Sequence, residues 1–173
     1  MKRILIGITL IITNILVAEV YSQNFSNQQG GHCFTLEIPD YLAKTYQLND
    51  DASLQYMNTL KEAYVIVIED SKDHLSEVGT KFIDSEDFLI NFIKDYQIES
   101  DNRKVSKTKR FEQNDYGHSQ VEMTWDNEGN KFYMLITSVE SPEHFYKILC
   151  WTLFENKKML KDDFIRISQS LNE

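Results

Sequence analysis

The sequence predicts an α+β domain: a single twisted antiparallel sheet of about six to seven strands, flanked by helices. Three observations carry that expectation. From Arg103 onward, apolar strand-like runs follow one another with only turn residues between them, and short separators make neighbouring strands antiparallel. Only two stretches show strong helical periodicity, around Phe88 and around Phe164. One run, "AYVIVIED", is apolar at consecutive positions, as in a strand covered on both faces.

In chain order, "MKRILIGITLIITNILVAEVYS" has the anatomy of a secretory signal. Lys2 and Arg3 form a basic start, Ile4 to Val17 an apolar stretch, and Val20-Tyr21-Ser22 a small-residue cleavage region. The apolar stretch falls short of the roughly 20 residues that span a bilayer. Cleavage near Ser22 would leave no stable membrane anchor and an exported chain, periplasmic or secreted. The expected division is therefore 1–22 signal peptide, 23–32 flexible polar leader, and 33–173 a single domain.

"CFTLEIP" alternates, with Phe34, Leu36 and Ile38 on one face and Pro39 as the stop. "YLAKTYQLNDDASLQYMNT" reads as a hairpin turning at Asn49-Asp50-Asp51. In "AYVIVIED", Val65 and Val67 oppose Ile66 and Ile68. "SKDHLSEVGTKFID" reads as a short helix followed by a loop. Ser85 is then a suitable N-cap for a helix with Glu86 and Asp87 in its first turn and a stripe of Phe88, Leu89, Phe92, Ile93 and Tyr96. "KVSKTKRFEQ", "HSQVEMTWD", "KFYMLITSV" and "FYKILCWTLF" form a meander punctuated by "NDYG", "NEGN" and "ESPEH". Leu160, Phe164, Ile167 and Leu171 repeat at helical spacing and close the chain.

This layout resembles the PsbP-like superfamily, which includes the extrinsic PsbP subunit of the photosynthetic oxygen-evolving complex and the Ran-GTPase-binding Mog proteins. The residues that carry the resemblance are "FTLEIPDY", the apolar "YVIVIED", and above all "YKILCWTLFENKKMLKDDFIRISQSL". It extends from about Cys33 to Leu171. It implies one antiparallel sheet with helices on both sides, in a domain that docks to a larger assembly rather than catalysing a reaction. No set of functional residues transfers position by position, and nothing in the sequence supports a photosynthetic role.

The net charge is −9, and loss of Lys2, Arg3 and Glu19 with the signal takes it to −10. Such a surface repels phosphate backbones and argues against nucleic-acid binding. The four histidines, His32, His74, His118 and His144, form no metal-ligand pattern. No GxSxG, Walker or GxGxxG string is present, so the sequence points to a non-enzyme without a cofactor or metal.

The two cysteines, Cys33 and Cys150, could pair in an exported protein, closing most of the chain into one loop worth about 4–5 kcal/mol on chain-entropy grounds. The other reading is two separately buried thiols. If the helices left one sheet face bare, Trp125 and Tyr133 would be aromatic anchors for a partner. The expected function is an exported accessory or protein-binding domain of an envelope or secreted assembly, with another envelope or secreted protein as partner. The alternative is a small-molecule or metal-dependent enzyme with a pocket between sheet and helix.

Overall fold

The computed structural model describes residues 23–173 with the exception of His32; the expected signal peptide and that histidine lie outside the described residues. A two-stranded hairpin, β1 (Phe25–Gly30) and β2 (Phe34–Pro39), comes first. The main sheet contains β3 (Ala43–Lys44), β4 (Leu54–Asn58), β5 (Ala63–Ser71), β6 (Asp101–Val105), β7 (Lys109–Gln113), β8 (Tyr116–Asn127), β9 (Asn130–Glu140) and β10 (His144–Leu153). Helices α1 (Lys72–Glu77) and α2 (Ser85–Asp95) lie between β5 and β6, and α3 (Lys157–Gln169) follows β10 after a 3-10 turn. Among the described residues no helix is long and apolar enough to cross a membrane.

The sheet runs β3-β4-β5-β10-β9-β8-β6, with β7 also paired to β8, and every pairing is antiparallel. The expected α+β class is therefore the observed one, with eight strands in the sheet rather than six or seven. "KVSKTKRFEQ" is not one strand but two, β6 and β7, which take successive stretches of β8. Outside the main sheet, the residues expected as a flexible leader supply β1, which pairs with β2 from Phe25↔Pro39 to Gly30↔Phe34. That polar strand is pinned by Phe25, whose ring lies 3.9 Å beneath the Arg166 guanidinium of α3.

Turn chemistry sets the meander. Asn114 and Asp115 both adopt left-handed backbone between Gln113 and Tyr116, and Glu128-Gly129 do the same between Asn127 and Asn130. Two left-handed residues make the tight hairpin whose twist matches its strands. Gly129, at φ 80°, takes a left-handed backbone that a side chain would strain.

The strand alternation divides the core in two. On one face, Val65, Val67, Tyr133, Leu135, Tyr146, Ile148 and Cys150 meet the inward side of β2 and the α3 stripe of Leu160, Phe164 and Ile167, continued by Leu171. On the other, Ile66, Val121, Met123, Trp125, Met134, Ile136 and Leu149 meet α2 through Leu89, Phe92, Ile93 and Tyr96.

Helix α2 is capped at both ends by side chains. Its N-cap is Asp84, one residue earlier than expected: its carboxylate accepts from the amides of Glu86 and Asp87, both at 3.0 Å. Ser85 is turned into the core instead, its hydroxyl 2.9 Å from that of Ser119, while Ser138 donates to its carbonyl. At the other end the Arg103 guanidinium of β6 donates to the carbonyls of Tyr96, at 3.0 Å, and Ile93. It thereby occupies groups that the final turn leaves unpaired.

Candidate functional site

The two aromatic residues expected to anchor a partner are core residues. Trp125 is 5% exposed and Tyr133 is fully buried. Trp125 stacks on Phe132, 5.3 Å between ring centres, with the edge of Tyr96 of α2 against it. Tyr133 lies under α3 with the Lys157 ammonium 4.4 Å from its ring centre. The premise of a bare sheet face fails at both positions, because each face carries a helix there.

The Cys33–Cys150 bridge is not formed, and both thiols are free. Strand β2 lies over the sheet rather than within it. This brings Cys33 to the Tyr146 end of β10, its sulfur 3.6 Å from the Tyr146 hydroxyl. Cys150 is four residues further along the same strand, roughly 13 Å away at the rise of an extended chain, beyond disulfide reach. Neither thiol is set up for nucleophilic work. Burial pushes Cys150 well above the usual thiol range. Burial also raises Cys33, which donates to Glu69 Oε2 at 3.2 Å, so its neighbouring carboxylate favours the protonated form.

The three described histidines are dispersed. His144 Nδ1 lies 3.1 Å from Glu173 Oε1, which also accepts from Ser141 and Tyr146 at 2.6 Å each. Burial works against the charge on Glu173, but these hydrogen bonds hold its carboxyl below the usual range. His118 is buried on the α3 side of β8, its ring stacked on Phe111 and its Nδ1 3.0 Å from the Tyr116 carbonyl. His74 is exposed beside Glu77. Among the described residues, no three His, Cys, Asp or Glu side chains converge in a way that could hold a metal ion.

What the structure does build is an amphipathic groove in the region read from sequence as a short helix and loop. Ser71 caps α1 by accepting from the His74 amide. Gly79, at φ 77°, then ends the helix: its amide reaches the Ser76 carbonyl and that of Thr80 the Leu75 carbonyl, at 2.8 Å. The reversal carries Lys81 and Phe82 back across the end of the sheet. The Phe82 ring stands edge-on to Phe88 and Phe145, at 4.9 and 5.8 Å, and those two stack on each other at 4.9 Å. A cavity of about 220 Å³ remains between Leu75, Phe82 and Phe145, rimmed by Lys72, Lys81, Ser76, Thr80 and Glu140.

Three aliphatic side chains from the same region stand in solvent: Val78 is 61% exposed, Ile83 88% and Ile90 50%. Isolated exposed aliphatics are ordinary, but Val78 and Ile83 stand on either side of the Thr80–Phe82 stretch that walls the hollow. The rim is also charged in a defined way. Lys72 is 2.8 Å from Glu140 and its ammonium lies 4.7 Å over the Phe145 ring. Lys81 forms no ion pair among the described residues.

Sequence reasoning missed this groove. Its signals were the unsatisfied apolar residues Val78, Phe82 and Ile83 in a stretch too irregular for either periodicity.

No protein-family model and no curated protein sequence matches the chain. In structure it is similar to cyanobacterial PsbP (CyanoP) from Synechocystis sp. PCC 6803, with a TM-score of 0.61 and 10% identity over 89% of this chain and 95% of that one. It is similar also to LpqN of Mycobacterium tuberculosis, a protein involved in cell envelope biogenesis, with a TM-score of 0.61 and 11% identity over 87% and 91% of the two chains. PA94 of Pseudomonas aeruginosa, of unknown function, gives 0.51 and 12% over 86% and 96%. The fold is PsbP-like, and at such identities the likeness shows the fold alone.

Proposed function

We propose that the chain is an exported, non-catalytic accessory domain that docks onto another envelope or secreted protein through the groove formed by α1, the loop to α2 and the adjoining end of the sheet. The observation that carries this reading is the exposure of Val78 and Ile83 on either side of the Thr80–Phe82 stretch that walls the Phe82–Phe145 hollow. Burying those side chains against a partner recovers apolar area that folding leaves in water. Burial raises both thiols above their ordinary range, and the described histidines lie apart from one another and make no hydrogen bond to either thiol, which supports a non-catalytic reading. The fold likeness to an envelope-biogenesis protein supports the setting, as does the signal-like start of the sequence.

A photo-crosslinking residue at Ile83, compared with one at Glu155, exposed in the 3-10 turn beyond the far end of β10, tests the docking face in the native envelope. A discrete adduct from position 83 and none from 155 is the expected result. Equal labelling from both positions, or none from 83, removes the reading. Export is checked separately: the released protein should begin at Gln23.

A further inference from the structure

We infer that the groove selects an acidic peptide segment, one that seats a single large apolar side chain between Leu75, Phe82 and Phe145 and places a flanking carboxylate against Lys81. This rests on the docking reading above and names the chemistry of the partner.

Size excludes a cofactor-like occupant. Small-molecule sites enclose about 300–1,000 Å³, whereas this hollow holds about 220 Å³, room for one side chain. Its floor is aromatic and aliphatic, so that side chain is apolar. The sign of the flanks follows from the rim. Glu140 and Lys72 engage each other, whereas Lys81 has no counter-ion among the described residues. The hydroxyls of Ser76 and Thr80 add donors suited to carboxylate oxygens.

In a chain of net charge −9, most of the surface repels an acidic segment, so one uncompensated lysine beside an apolar hollow discriminates by position. Basic segments are drawn to the rest of the surface rather than to this groove.

The test uses the exported protein, labelled with nitrogen-15, and a capped pentapeptide with a central phenylalanine and two aspartates on each side. Saturable amide shifts should centre on residues 72–82, Glu140 and Phe145, with an affinity of about 0.1–1 mM, as expected for one anchor and an exposed ion pair. Replacing the central phenylalanine by alanine should abolish the shifts. Lys81→Glu, at an exposed position, should weaken binding roughly tenfold, and raised salt should do so progressively.

Equal binding of a lysine-flanked peptide overturns the inference, as do shifts centred outside the groove or no shifts at saturating peptide. The two readings fail separately. An adduct from Ile83 with no response to the acidic peptide leaves docking intact and removes the acidic partner. A specific peptide response without an adduct does the reverse.

Discussion

The two faces of the sheet are closed to different degrees. On one, the thirteen-residue α3 and the β1–β2 hairpin lie side by side over the strands, and Leu160, Phe164, Ile167 and Leu171 are completely buried. On the other, α2 covers β8, β9 and β10, but the six-residue α1 contributes no buried residue, and the loop between them leaves apolar side chains in solvent. A seam of hydroxyls, Ser85, Ser119 and Ser138, runs beneath the start of α2, and a buried cluster of Gln120, Thr137 and Ser168 lies beneath α3. One face is closed along the whole of α3, and the other leaves apolar surface exposed beside α1.

The contrast is broken most forcefully at Phe164. Phe164→Ala empties a site with no exposure and should cost about 3–5 kcal/mol in chemical denaturation. Ile83→Ser on the other face should stay within about 0.5 kcal/mol, although it removes docking surface. Comparable losses at the two positions would show that the α2 side is as tightly closed as the α3 side.

A smaller effect is expected at the cap of α2. Asp84→Ala should cost about 1 kcal/mol at neutral pH. The Asp87 amide, with help from the Arg110 guanidinium and the Glu86 amide, outweighs burial and holds the Asp84 carboxyl below the usual range. The unfolded chain therefore takes up the proton first as pH falls. The cap's contribution is complete above the ordinary aspartate value of about 3.9 and disappears as pH drops through the folded value. The difference between wild type and variant should shrink accordingly in acid urea titrations.

The smallest effect belongs to His118 on the closed face. Burial lowers its proton affinity, against a weaker pull from the Tyr116 carbonyl, and Nε2 has no partner. The unfolded histidine protonates near its ordinary value of about 6.5, so stability should decline as pH falls through that value, with the loss complete at the lower folded value. His118→Gln should flatten that part of the profile, whatever its effect at pH 8. An unchanged slope would place the titration elsewhere.

The parts legible in the sequence are those whose signal is local. The α3 stripe repeats with strict period, and "NEGN" contains its own turn. Val65–Ile68 announce a doubly covered strand. Where two local solutions competed, tertiary contacts decided: Asp84 and Ser85 are both good caps, and Ser85 lost the role because its hydroxyl meets Ser119. Strand β1 was illegible because "FSNQQG" is polar and becomes a strand only by pairing with β2 and by contact with Arg166. The same non-local fact, that β2 rides above the sheet, separated the cysteines. The groove escaped for a related reason: Leu75, Phe82 and Phe145 come from three segments and meet only through the reversal at Gly79.

The division of "KVSKTKRFEQ" into β6 and β7 has a consequence for assembly. The outer border of β8 is lined by two five-residue strands in place of one long one, and Lys104, Lys107, Lys109 and Arg110 stand exposed along it. The opposite border ends in the two-residue β3. Interrupted and cationic margins resist growth by a further strand. The main sheet is thus finished as a lattice of backbone bonds, and lateral stacking into fibrils is discouraged even at high local concentration.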